Sequence, residues 1–151
     1  MARQPKGGDT DQIKAVASGE CAIALTNTYY AARLLKSSKA DEKATMEKVR
    51  VVFPNQGTSG THINIGGAAV ARHAKHVDNA VQFMEFLASP FAQDYFANGN
   101  NEFPAVVGVK IDNAALKAMG GEAFKAENIS LGVVAKNMTK VQQMLDRVGF
   151  K

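Results

Sequence analysis

The chain has 151 residues, of which 46% are hydrophobic and 21% charged, and its formal net charge is +4. These values predict one folded domain with a proper core and argue against a disordered chain. The basic residues are spread out with no run of five or six, which disfavours a nucleic-acid interface. No apolar run approaches the ~20 residues of a membrane span, and the first residues lack the apolar core of a secretory signal.

The first third of the chain alternates helix and strand patterns. Apolar residues three or four apart predict a first helix, and the apolar run 21–26 then predicts a short buried strand. A second helix is predicted over 28–37, because Asn27 or Thr28 can cap it. A polar stretch, either a solvated helix or a loop, separates this helix from a β-branched strand at 49–53.

Glycines mark the middle of the chain, around a possible strand at 62–65. These glycines favour a bend between two lobes. The alternative is a glycine-rich loop that binds phosphate. The stretch matches neither the P-loop nor the dinucleotide-binding pattern. The four glycines are Gly57, Gly60, Gly66 and Gly67.

Helices dominate the remaining sequence. A helix is predicted over 78–88, and a second over 90–99 with Ser89 as its cap and Pro90 in its first position. Asp112 is predicted to cap a short helix, and a capping box at Thr139 predicts the start of the last one. Alternation of strands with helices favours an α/β fold, although the strands are too few for a sheet of usual size.

The adjacent tyrosines Tyr29 and Tyr30 are the strongest candidate functional residues. They stand where the predicted strand gives way to a helix, and a backbone turn there can bring both rings to one point. Two phenolate oxygens suit a hard, highly charged cation such as ferric iron. The free N–H groups of a first helical turn favour the negative charge. The alternative is two half-buried aromatic rings with their hydroxyls in water.

Other candidate sites have simpler explanations. His73 and His76 could share a helix face and bind a divalent metal, but their basic neighbours favour a solvated surface. His62 is predicted to be a hydrogen-bonded structural residue, and Cys21, the single cysteine, a small core residue. No acid/base pair and no nucleophile setting is recognisable, so the sequence predicts a binding protein and not an enzyme.

Six segments, in this order and spacing, resemble the C-terminal half of bacterial ferric iron-binding proteins. These proteins are the periplasmic substrate-binding components of iron ABC transporters. The likeness runs along essentially the whole chain. The segments are GDTDQI at 8–13, NTYY at 27–30, FPNQG at 53–57, GTHINI at 60–65, FLASP at 86–90 and GNNEFP at 99–104.

The resemblance implies a type II periplasmic-binding-protein-like α/β fold, incomplete because only the C-terminal half of a two-lobed fold is present. Residues 1–48 would belong to the C-terminal lobe and carry the tyrosine pair. Residues 49–57 would form a strand and bend that cross between the lobes. Residues 58–151 would pack against the missing N-terminal half.

The resemblance also implies a function, which is ferric iron binding for uptake through an ABC transporter permease, in the periplasm. Tyr29 and Tyr30 would ligate Fe³⁺, and Asn27 would help to hold an accompanying anion such as carbonate or citrate. The remaining ligands would come from the N-terminal half. The alternative is the same fold binding an anion or small organic solute without iron. Apolar surface left without a partner predicts a homo-oligomer or a domain swap.

Overall fold

A computed structural model describes residues 6–121 and 123–150. The first residues, which bear on a secretory signal, lie outside this range. Seven α-helices and one π-helical turn are formed by the described residues. They are α1 (Asp9–Ala17), α2 (Thr28–Leu35), α3 (Ala40–Glu47), α4 (Val77–Leu87), α5 (Pro90–Asp94), the π turn (Tyr95–Gly99), α6 (Ala114–Ala118) and α7 (Leu131–Arg147).

Two compact units make up the chain. The first comprises residues up to Val52 together with Asn64–Phe124, and the second comprises Phe53–Ile63 together with the residues from Lys125 onward. Each unit is therefore built from two separate pieces of chain. The division into lobes at 1–48, 49–57 and 58–151 stays a prediction.

The core of the first unit forms around α2. This helix packs against α1, α3 and α6. Its inner face carries small residues, so neighbouring helices can approach its backbone closely. The buried apolar residues of this core are Ile13, Ala15, Ala31, Ala32, Leu34, Met46, Ala115, Leu116 and Met119.

The helix at Pro90 begins as predicted and then changes its winding. The Ser89 hydroxyl accepts a hydrogen bond from the Ala92 N–H at 3.3 Å, and Pro90 occupies the first helical position. After Asp94 the chain continues as a π-helical turn that ends at Gly99, so the single helix predicted over 90–99 is two segments. A π turn widens the helix by one residue and often interrupts an α-helix locally.

Asn113, and not the predicted Asp112, caps α6. The Asn113 side-chain oxygen accepts hydrogen bonds from the N–H groups of Ala115 and Leu116 at 3.0 and 3.3 Å. The same buried side chain donates to the Ala97 carbonyl and to Asn101 Oδ1, both at 2.8 Å. It therefore ties the start of α6 to the end of the π turn.

The three predicted strands, at 21–26, 49–53 and 62–65, do not form. Among the described residues the β pairing is limited to one parallel bridge, between Thr61 and Ala126 in the second unit. A strand needs a neighbour to satisfy its backbone groups, and the described residues of the first unit offer none. The polar stretch before residue 49 contains α3, which confirms the helical option there.

Gly60 lies beside this bridge, and its small size explains its presence. Its φ is +94°, and an added Cβ would lie 2.7 Å from the Ala126 carbonyl oxygen. A larger residue would clash with the backbone that pairs with Thr61. Close packing thus accounts for this glycine, and no bound phosphate is needed to explain it.

The last helix, α7, begins at Leu131 and not at Thr139, which lies inside it. Apolar residues recur three and four apart from Leu131 to Val148, so the helical period extends well upstream of the predicted capping box. Most of this apolar face is exposed. None of the helices in the described ranges is long and apolar enough to span a bilayer.

Candidate metal centre

The rings of Tyr29 and Tyr30 converge. Their centroids are 4.5 Å apart and their planes are inclined by 40°. Both residues lie in the first turn of α2 and both are half-buried, so neither is sealed in the core. The backbone turn that precedes α2 thus brings the two aromatic residues together, as the junction predicted. Their role as metal ligands stays a prediction.

The ionisation of Tyr29 depends on its neighbours. A hydrogen bond with Tyr30 raises the pKa of Tyr29 above its ordinary value. Desolvation and the negative charges of Tyr30, Asp9 and Glu102 raise this pKa further. Without a cation, Tyr29 therefore keeps its proton at neutral pH, because an anionic phenolate would face other negative groups.

Asp9 connects the first turn of α1 to the residue that precedes α2. Its Oδ1 accepts a hydrogen bond from the backbone N–H of Asn27 at 2.7 Å and lies 3.5 Å from Asn27 Nδ2. Asn27 has an extended backbone and does not use its side chain to cap α2. Instead its Oδ1 accepts a hydrogen bond from Asn64 Nδ2 at 3.1 Å. Asp9 and Asn64 therefore fix Asn27 from two sides.

This arrangement bears on the predicted anion-holding role of Asn27. The backbone N–H that an anion would approach is already bonded to a carboxylate that belongs to the protein. The side-chain nitrogen makes only a long contact with the same carboxylate. An accompanying anion at Asn27 would therefore have to share these donors with Asp9.

Arg33 brings a positive charge to the pair. Its guanidinium carbon lies 5.3 Å from the centroid of the Tyr30 ring. The two residues are three apart on α2, which places them on the same helix face. A cation over a tyrosine ring is attracted by the ring electrons.

The sequence did not indicate four of these surrounding residues. Asp9 and Asn64 contact Asn27 across 18 and 37 positions, and nothing local in the sequence relates them. Glu102 acts through its charge alone. Arg33 could have been found, because three-residue spacing from Tyr30 on a helix is visible in the sequence.

The three histidines were weighed in the sequence as alternative sites, and the structure gives each of them other surroundings. His62 Nδ1 is 2.9 Å from Glu127 Oε2 in the second unit, consistent with its predicted structural role. His76 is the residue before α4, so His73 and His76 do not share a helix face, and both are exposed, as the favoured solvated surface predicted. Histidine, cysteine and acidic side chains form no metal-binding group of three among residues 6–121 and 123–150.

Cys21 is also not the core residue that the sequence predicted. It is only partly buried, and it carries a free thiol. The apolar run that it opens does not form a buried strand, so its side chain is not enclosed by a sheet.

The family of the chain follows from its sequence. Residues 3–120 match the model of a family described as bacterial extracellular solute-binding protein. The chain belongs to this family. Its curated relatives include iron uptake proteins A2 and A1 from Synechocystis, each 41% identical over 100% of this chain. The matched region is 43% and 41% of those proteins, so the chain spans less than half their length.

Solved structures show the same fold. A Trichodesmium FutA in complex with iron and citrate is 46% identical, with a TM-score of 0.90 over 100% of this chain and 47% of its own. A ferric binding protein from Campylobacter jejuni is 37% identical, also with a TM-score of 0.90 and 47% of its chain covered. Apo FutA2 from Synechocystis is 40% identical, with a TM-score of 0.89.

These matches confirm the predicted fold class. The chain is one half of a type II periplasmic-binding fold, the C-terminal half of a two-lobed protein. The names of the relatives describe binding and uptake, not catalysis.

Proposed function

We propose that this chain provides the tyrosine half of a ferric iron site in the substrate-binding protein of a bacterial iron ABC transporter. The observation that carries the proposal is the convergence of Tyr29 and Tyr30 in an accessible first helical turn. The names of the relatives, iron uptake and ferric binding proteins, agree with it. The cell compartment would be the periplasm, and the partner would be a transporter permease.

Charge explains why the cargo would be ferric and not divalent. Each phenol that binds metal must lose a proton, and its ordinary pKa near 10 makes this costly at neutral pH. The raised pKa of Tyr29 adds to that cost. A trivalent cation offsets this cost of deprotonation best, because attraction to an anionic oxygen grows with the charge of the ion.

Two phenolates leave one positive charge on Fe³⁺. Asp9 and Glu102 are the negative groups that already act on Tyr29, and they would offset part of this charge. Carbonate or citrate would neutralise the rest, with Asn27 as its donor in competition with Asp9. The remaining ligands would come from the N-terminal half of a complete binding protein.

Proton release sets the direction of the pH dependence. Tyr29 is protonated in the empty site and ionised when it binds iron, so uptake of the ion releases its proton. Acid therefore favours iron release, and a more alkaline solution favours retention until hydrolysis of free iron competes.

A titration with ferric citrate tests the proposal. Iron bound to phenolate absorbs visible light by charge transfer, so we expect a band to appear as iron is added. Tyr29→Phe and Tyr30→Phe each remove one hydroxyl and nothing else, and each should weaken or shift the band. Loss of one of two phenolate ligands should lower its intensity by about half.

The third tyrosine gives a matched control. Tyr95 lies in the π turn and is well exposed, so Tyr95→Phe removes the same group at an unrelated position. This variant should retain the full band. Thermal unfolding of all three variants checks that the fold is intact. A band that is unchanged in both Tyr29→Phe and Tyr30→Phe would remove the assignment.

A further inference from the structure

A chain of three polar side chains leads from the tyrosine pair to an exposed residue of the first unit. Asp9 Oδ1 accepts a hydrogen bond from the Asn27 N–H at 2.7 Å and lies 3.5 Å from Asn27 Nδ2. On its other side, Asn27 Oδ1 accepts a hydrogen bond from Asn64 Nδ2 at 3.1 Å. Asp9 and Asn27 are half-buried, whereas Asn64 is exposed. Of the three, only Asn27 adjoins the tyrosines in sequence, so Asn64 reaches the pair through Asn27.

The charge of Asp9 sets the direction of these hydrogen bonds. A carboxylate accepts hydrogen bonds and cannot donate them, so the Asn27 amide turns its nitrogen toward Asp9. The Asn27 oxygen then faces the opposite side, where it needs a donor. Asn64 supplies that donor with its Nδ2. The orientation of all three side chains is therefore fixed from one end, and a side chain that only accepts hydrogen bonds does not fit at position 64.

Asn27 connects this arrangement to the tyrosine pair through the backbone. It is the residue before α2, with an extended backbone at φ −74° and ψ 140°, and its carbonyl accepts a hydrogen bond from the Tyr30 N–H at 3.2 Å. Its side chain makes no cap hydrogen bond to α2. The contacts of Asn27 with Asp9 and Asn64 therefore hold the turn at which α2 begins. A displacement of Asn27 would move the Tyr30 backbone with it.

We propose that Asn64 is a positioning residue for the ferric iron site that the tyrosine pair provides. Its amide holds the Asn27 side chain in the orientation that Asp9 requires, and it contributes no ligand of its own. This inference rests on the proposed function, because iron binding is what reveals the position of the two phenols. A hydrogen-bond donor at position 64 is then needed for full iron affinity.

The surroundings of Asn64 allow its substitution without damage to the fold. The side chain is exposed, so its removal leaves no buried cavity. Residues 64–70 lie outside every helix and make no backbone–backbone hydrogen bond with the described part of the chain. A change at position 64 therefore disturbs neither a helix nor a ladder, and thermal unfolding should stay the same.

Two variants at position 64 test the need for a donor, with iron affinity measured by competition with citrate and followed by the visible band. Asn64→Ala removes the donor and should weaken iron binding by about threefold to tenfold, the usual contribution of one hydrogen bond. Asn64→Asp has almost the same shape but only accepts, so it should weaken binding at least as much. Its negative charge alone would have the opposite effect, because it would attract Fe³⁺.

The same change in the Asp9→Asn background separates hydrogen-bond direction from a general disturbance. An asparagine at position 9 can donate as well as accept, so the Asn27 amide is free to turn its nitrogen toward an aspartate at position 64. Relative to Asp9→Asn alone, the added Asn64→Asp change should alter iron affinity by less than about twofold. A penalty that is equal in both backgrounds would overturn the proposal, because residues that act through one contact are not additive.

Asn137→Ala is the matched control. Asn137 is also exposed, and its Nδ2 donates to the Val133 carbonyl at 2.9 Å within α7. This variant should bind iron within about twofold of the unchanged protein. An Asn64→Ala variant with the same affinity as this control would overturn the proposal and leave the tyrosine site intact. Absence of any band that depends on Tyr29 and Tyr30 would instead overturn the proposed function, and the inference with it.

Discussion

Asp9 influences the tyrosine pair in two separable ways, through its charge and through its hydrogen bonds. The charge helps to raise the pKa of Tyr29. The hydrogen bond to the Asn27 N–H holds the residue that precedes α2. A change that removes one effect and keeps the other can therefore tell which matters for the site.

Asp9→Asn makes this separation. The side-chain amide oxygen can still accept the Asn27 N–H, but the negative charge is gone, so the pKa of Tyr29 should fall toward its ordinary value near 10. Ultraviolet titration of the tyrosines, with Tyr29→Phe to assign the signal, measures this. Asp41→Asn, on the exposed side of α3, is the control and should leave Tyr29 unchanged. An unaltered Tyr29 titration in Asp9→Asn would show that the charge of Asp9 has no part in the raised pKa.

Sequence alone identified the centre of the candidate site but not its surroundings. Tyr29 and Tyr30 were found because they are adjacent and stand before a predicted helix. Asp9 and Asn64 were missed because their contacts with Asn27 depend on how the first unit folds. Local patterns reveal neighbours on one helix, whereas contacts across 18 or 37 positions require the tertiary structure.

Among the elements, α6 depends most on a single side chain. Asn113 caps this short helix and also satisfies the Ala97 carbonyl and Asn101 from a buried position. A helix of five residues has little stability of its own, so its start must be held by such contacts. The buried partners would be left unsatisfied if the amide were removed.

Asn113→Ala should therefore lower the free energy of unfolding by about 2–4 kcal/mol. Loss of the cap contributes about 1 kcal/mol, and the buried groups left without partners contribute about 1–3 kcal/mol. Asn113→Asp keeps the capping oxygen but sets a buried anionic oxygen against the Ala97 carbonyl and Asn101 Oδ1, so it should be at least as destabilised as Asn113→Ala. Denaturation with urea measures all three. Asn100→Ala, at an exposed neighbouring position, should change stability by less than about 0.5 kcal/mol. A similar small effect for Asn113→Ala would refute the bridging role.

Helices are predictable where apolar spacing and a cap agree, as at the start of α5. Strands were not, because a strand sequence becomes a strand only beside a partner. Residues 21–26 have the right composition and still form no ladder, which the sequence alone cannot reveal. The predicted start of α7 is wrong because the capping-box pattern at Thr139 lies inside a longer stretch of helically spaced apolar residues.

At the scale of the whole molecule, the chain has the fold of half a binding protein. The resemblance to ferric iron-binding proteins indicated this before the structure did, and the matched structures confirm it at the level of fold. Composition and periodicity alone predict only an α/β protein with too few strands for a sheet of usual size. The order of six short segments carried the additional information.

Completion of the fold should increase iron affinity if the tyrosine pair supplies only part of the coordination. We expect that fusion of the unmatched part of Synechocystis iron uptake protein A1 to this chain adds further ligands to those of Tyr29 and Tyr30. Ligands held in one molecule act at high effective concentration, so affinity should rise by about 10²–10⁴-fold over the chain alone. Competition with citrate, followed by the visible band, measures the change.

The control is the same fusion with Tyr29→Phe and Tyr30→Phe together. It retains every ligand from the added part and loses those of this chain, so most of the gain should disappear. A fused protein whose affinity is independent of both tyrosines would place the iron entirely on the added part. Equal affinity of the fused protein and the chain alone would instead mean that the pair does not face the added ligands. Affinity that is independent of the tyrosines would thus identify which residues bind the iron. Equal affinity of the fused protein and the chain alone would instead report on how the two halves of the fold meet.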